Sequence, residues 1–149
     1  MDKTDKIEKN YLKPLHVSVS VKDLDASIEW YRKHLNFELV FKMYLAVHHA
    51  HLAFVRHGTF EVELFMHDES QPIPASRLDP HEDLKTRGCK HLAFLVDNDD
   101  ELCERLRSEG VAIVKEPRVM ENPDLGIREK VFFIHDHDNV NLEFIERLN

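Results

Sequence analysis

Glycine is scarce in this chain, with four in 149 residues. A phosphate-cradling loop needs clustered glycines, so P-loop and dinucleotide fingerprints are excluded. Cysteine occurs twice, at Cys89 and Cys103, with no C-x-x-C spacing. That gives no support for a disulfide scaffold or a thiolate metal site and leads us to expect a reducing, cytoplasmic setting. No apolar run approaches the roughly 20 residues that span a bilayer. The first ten residues carry alternating charge and no apolar core, so no secretory signal is expected. Basic residues are in deficit, 20 against 28 acidic, for a net charge of −8. This argues against a nucleic-acid groove or an anionic membrane partner. What remains is a chain 42% hydrophobic and 32% charged, ordinary for one soluble globular unit with a real core. Histidine, by contrast, is abundant, with 11 residues.

The chain also repeats itself. Leu15-His16-Val17-Ser18-Val19-Ser20-Val21 leads to an acidic helix start and closes on Val62-Glu63-Leu64-Phe65. Lys90-His91-Leu92-Ala93-Phe94-Leu95-Val96 does the same and closes on Leu142-Glu143-Phe144-Ile145. Such self-similarity marks a fold built by duplication. Strand side chains alternate between faces. In all four segments the apolar parity can take a helix, leaving His16, Glu63, His91 and Glu143 on the opposite face. Two imidazoles and two carboxylates are a donor set for one divalent metal ion, Zn, Ni, Co, Mn or Fe. Glu61 shares parity with Glu63 and competes with it.

The periodicity predicts an α+β fold of two β-α-β-β-β modules. Residues 1–11 read as a charged arm, 12–67 as the first module, 68–88 as a linker and 89–149 as the second module. In the first module a strand over 14–21 precedes a helix capped by Asp23 or Asp25 and ended by Asn36. Strands follow over 37–40, 43–55 and 60–66, with a turn at 56–59. In the second, a strand over 90–96 precedes a helix begun by Asp97 or Asp99 and stopped by Gly110. A strand over 111–114, a proline-containing loop over 116–126 and a hairpin of 129–134 with 140–145 complete it. His48, His49 and His51 fall on one predicted strand, where a polar face outweighs a second metal site. His135 and His137 read as turn residues. Trp30, Tyr31 and Cys103 read as core. Arg77, Lys85 and Arg87 in the linker are either solvated or available to an anionic substrate.

His16 with the following Val-Ser-Val-Ser-Val-Lys-Asp-Leu-Asp and Trp30-Tyr31, then Lys90 to Asp97, then Phe133 to Asn139 with Leu142-Glu143-Phe144, resemble the vicinal oxygen chelate superfamily. The resemblance runs from Leu12 to Glu146. That superfamily includes glyoxalase I, methylmalonyl-CoA epimerase, extradiol dioxygenases and fosfomycin-resistance proteins. It implies that the modules form a cupped mixed sheet around a metal site, with His16, Glu63, His91 and Glu143 as ligands, from one chain or shared by two, and a homodimer, since short modules leave sheet edges to cover. It further implies a small-molecule substrate, with Glu63 or Glu143 as the base in proton transfer α to a carbonyl. An Fe(II) ring-cleaving dioxygenase or an antibiotic-binding resistance protein are the alternatives. The chain departs from many bacterial glyoxalases at Ser20 and His67, where those carry an Arg and an Asn that serve glutathione.

Overall fold

Alternating valines make the opening segment a half-buried strand, and the computed structural model, which describes residues 13–148, begins with it. The arm expected over 1–11 lies outside the described residues. β1 (His16–Ser20) is followed by α1 (Leu24–Leu35), β2 (Glu38–Leu45), β3 (Ala50–His57) and β4 (Phe60–His67). The second module repeats the order with β5 (Leu92–Leu95), α2 (Asp99–Ser108), β6 (Ile113–Asn122), β7 (Ile127–His135) and β8 (Asn141–Arg147). Each module forms its own four-stranded mixed sheet, ordered β1-β4-β3-β2 and β5-β8-β7-β6. β1 and β5 run parallel to β4 and β8, and the remaining pairs are antiparallel. The fold is α+β with two β-α-β-β-β modules, as the repeat predicts.

Local chemistry sets the helix ends. The Asp23 carboxylate accepts from Ala26 N–H at 3.0 Å, and Asn36 closes α1 in the left-handed region at φ 56°. α2 is capped by Asn98, not by Asp97 or Asp99. Its side chain accepts from Glu101 N–H, while Asp99 is the first helical residue and is buried.

Two strand expectations are corrected. The strands predicted over 37–40 and 43–55 are instead β2, which runs unbroken from Glu38 to Leu45, and β3, joined by a single helical turn over Ala46–His48, with His49 left-handed at φ 47°. His48 and His49 therefore sit in a turn, and only His51 lies on a strand. In the second module β6 continues through Pro117, where a loop was expected. The ladder to β7 shifts register between Lys115 and Arg118, and this bulge absorbs the missing proline N–H.

Each helix covers one face of its sheet, and the two cores are continuous. Val62, Leu64, Ala53 and Val55 bury with Tyr31, while Leu142, Phe144, Phe132 and Ile134 bury with Cys103 and Leu106. Phe94 joins the modules, with its ring edge-on to Phe37 and Phe60 and stacked on Phe144. Polar contacts fix the junction. Tyr31 Oη donates to Asp136 at 2.8 Å, Ser27 Oγ to Asp138 at 2.8 Å, and His34 Nδ1 lies 2.6 Å from Glu109.

The linker is ordered around a buried acid. Asp83 is 1% exposed and accepts from Arg77 Nε at 2.8 Å and from Lys90 Nζ at 3.3 Å. Those cations, Arg77 first, hold its carboxyl below the usual range. No helix among the described residues is long and apolar enough to cross a membrane.

Candidate metal centre

The repeat's four polar residues come together as two pairs. His16 on β1 meets Glu63 on β4, with Nε2 and Oε2 3.4 Å apart. His91, the residue before β5, meets Glu143 on β8 at 3.0 Å. The register is the same in both. Glu63 lies opposite Ser18 and Glu143 opposite Ala93, each two residues beyond its histidine. Small side chains at those intervening positions leave room over the pair. The opposite parity, Val17, Val19, Val62 and Leu64 in one module and Leu92, Phe94, Leu142 and Phe144 in the other, packs in the core. Both pairs thus lie on the helix-free face, as parity predicts.

Neither contact is aligned as a hydrogen bond, unlike His34–Glu109 at 2.6 Å. Nitrogen and oxygen stand side by side. Two ligands each about 2.1 Å from one metal at a right angle are about 3.0 Å apart, so the observed separations fit a shared divalent ion. Imidazole with carboxylate suits the borderline metals, and each pair is open enough to receive one. Among the described residues no three His, Cys, Asp or Glu side chains converge as a metal-binding group. Within one chain the two pairs stay apart, each supplying two donors.

Glu61 and Glu63 differ in their neighbours. Arg56 Nε donates to Glu61 Oε1 at 2.8 Å, and Glu63 is left beside His16. Two residues escaped the sequence reading. Phe54 pairs with Glu63 across β3–β4, and Phe133 pairs with Glu143 across β7–β8. Each sets its ring edge-on to the module's histidine, with centroids 5.1 Å apart for His16 and 5.6 Å for His91. The signal available was an aromatic residue at the hairpin partner position of each glutamate, which only a correct register reveals.

The modules differ in what covers this face. In the first, Phe41 stacks on Phe54 at 4.9 Å and is 44% exposed. In the second, the linker lies across the sheet. Asn141 Nδ2 donates to Arg77 O, His135 Nε2 lies 2.8 Å from Leu78 O, and Lys115 Nζ donates to Asp79 at 2.6 Å. The Lys115 bond leads the effects that hold the Asp79 carboxyl down at about 2. His81 sets its ring edge-on to Phe133, on which His91 also rests. His135 is therefore a linker anchor as well as a strand end. Arg77 belongs to the Asp83 cluster and is not simply solvated.

Comparison with known proteins agrees with this architecture. Lactoylglutathione lyase of Escherichia coli O157:H7 is 30% identical over 132 residues, covering 89% of this chain and 90% of that protein. A glyoxalase family protein from Enterococcus faecalis superposes with a TM-score of 0.75 at 24% identity, covering 91% of this chain and 98% of that one. The fosfomycin resistance protein FosX from Listeria monocytogenes shares the fold at a TM-score of 0.63 and 19% identity, over 91% and 93% of the two chains. Residues 13–144 match the model of the Glyoxalase/Bleomycin resistance protein/Dioxygenase superfamily, and on that match the chain belongs to this superfamily.

Proposed function

We propose that this protein is a metal-dependent enzyme of the glyoxalase type, catalysing proton transfer α to a carbonyl of a small substrate. The observation that carries the reading is the pair of equivalent His–Glu half-sites, each with its two donors side by side at ligand spacing. Each half-site is short of the three or four protein ligands of a stable site. A second copy completes it, bringing His16 and Glu63 of one chain to His91 and Glu143 of the other. Exposed apolar side chains on β2 and β6, among them Leu39, Phe41, Met43, Val119 and Met120, support association as a homodimer.

His16, Glu63, His91 and Glu143 would hold the divalent metal, which when bound would supply polarisation of a substrate carbonyl and so acidify the neighbouring C–H. The chain's own part is to position and to move the proton. Glu63 or Glu143 is the base, taking the proton from the α-carbon and returning it to the adjacent carbon. Phe54 and Phe133 hold the histidine rings edge-on and exclude water from one side of each half-site. Glu63 occupies the same register as Glu143, which favours four ligands over the facial two-histidine, one-carboxylate set of an Fe(II) dioxygenase.

Elemental analysis tests the reading. The wild type should carry one divalent ion per chain, and His91→Ala should lose it. Glu63→Gln keeps an oxygen donor but removes the basic carboxylate. If Glu63 is the base, this variant retains metal and loses solvent-deuterium exchange at the substrate α-carbon. Oxygen uptake with a catechol and iron would instead establish the dioxygenase. A wild type that binds no metal would mark a small-molecule binding protein.

A further inference from the structure

Duplication reproduced the donors but not their surroundings. Beside His16 and Glu63 the open face carries the stacked Phe41 and Phe54, the 46%-exposed Met43 and one compensated charge pair, Arg56 with Glu61. Beside His91 and Glu143 it is cationic. Four basic side chains make polar contacts between the linker and the second module: Arg77, Lys90, Lys115 and Arg118. Three are engaged by carboxylates, Arg77 and Lys90 by Asp83 and Lys115 by Asp79. The cavity of about 210 Å³ beneath the linker is lined by Arg77 and Lys90 and so offers little free charge.

Arg118 is different. Among the described residues it has no carboxylate partner, and its one polar neighbour is His81 Nε2 at 3.4 Å from Nη2. The imidazole orients the guanidinium without neutralising it. The position is specific too. Arg118 pairs with Val131, Val131 with Ile145, and Ile145 follows Glu143 by two on the same strand. Antiparallel partners share a face, so Arg118 stands on the face of Glu143, about 12 Å away by strand spacing and rise. That is within reach of one small molecule, given the length of an arginine side chain. The bulge at Pro117 sets this parity, and His81 comes from the linker that crosses the same face and rests on Phe133.

We propose that Arg118, oriented by His81, is the subsite for an anionic group of the substrate, a carboxylate or phosphate set several bonds from the reacting carbon. A guanidinium binds either oxyanion bidentately. The inference rests on the reading of this face as the reaction face and names the class of substrate it takes.

The test uses EDTA-treated full-length protein, so that no metal contributes to binding. Phenylphosphonate and benzyl alcohol, an anionic probe and a neutral one of similar size, are titrated while amide shifts are followed by two-dimensional NMR. Phenylphosphonate should bind about tenfold tighter or better, as expected for a charge-assisted contact. Its largest shifts should fall on His81, Arg118, Val131 and Phe133. Arg118→Met should bring the two probes to parity, Arg118→Lys should keep part of the preference, and Arg32→Met, an equal loss of charge on the exposed side of α1, should keep all of it. Equal affinity for both probes, shifts centred elsewhere, or an undiminished preference in Arg118→Met would overturn the proposal. A preserved preference in a wild type that never takes up metal would overturn the proposed enzyme function and leave this subsite standing.

Discussion

Asp99 is fully buried at the first position of α2, and among the described residues neither carboxylate oxygen has a hydrogen-bond partner. Burial, reinforced by the nearby Glu146 that accepts Asp99 N–H, pushes its carboxyl up to about 7. Lys130 works the other way, but it is also bound to Asp100 at 2.5 Å. The consequence for stability has a definite sign. The folded state holds this proton more tightly than the unfolded state, whose carboxyl titrates near 3.8. Stability is therefore fully present below that value and declines as pH rises through about 7. Asp99→Asn mimics the protonated acid. It should match the wild type near pH 4 and exceed it at pH 8 by on the order of 1–3 kcal/mol. Urea unfolding at both pH values checks this; parallel pH profiles for the two proteins would refute it.

Among the elements, α1 ties the first module to the second by one buried hydroxyl. Tyr31 is fully buried, and its Oη donates to Asp136, a residue that also accepts from the backbone of Asp138 and Val140. Tyr31→Phe keeps the ring and removes one donor from a buried carboxylate. The expected cost is about 1–3 kcal/mol, or several degrees of Tm, measurable by calorimetry. An unchanged Tm would mean that the ring alone carries the contact. The elements also show what their local chemistry makes legible. Asp23 and Asn36 announce the ends of α1 because caps act within one turn of chain. The β2–β3 turn was hidden because Ala46 to His49 contains neither glycine nor proline, and a histidine takes the left-handed position. Pro117 misled in the other direction, since a bulge can carry proline inside a strand. For the candidate site, period-two parity was enough to place His16 and Glu63 on the helix-free face of one sheet and His91 and Glu143 on that of the other. The same logic could not reveal that the linker crosses the second sheet. That depends on long-range partners, Leu78 O to His135 and Asp79 to Lys115, with no local sequence signal.

At the scale of the whole molecule, the proposed site is a property of two chains. Each chain carries two half-sites of the same geometry, and no group of three donors forms among its described residues. If a second copy completes the centre, the wild type has a dimeric mass by light scattering at micromolar concentration, and a monomeric mass would count against the arrangement. A mixing experiment is sharper. His16→Ala and His91→Ala should each lose metal as pure proteins. In a mixed dimer made by co-expression, both lesions fall in one of the two shared sites, and the other site is assembled from the intact half of each chain. With random pairing, half of the dimers are mixed and about a quarter of all sites regain metal. Were all four ligands to come from one chain, every site in the mixture would still carry a lesion, and co-expression would restore nothing. Separating the mixed species by differential affinity tags and measuring its metal content against both pure variants distinguishes the two outcomes. The same species with Glu63→Gln placed in the intact site then asks whether the base belongs to the chain that supplies His16.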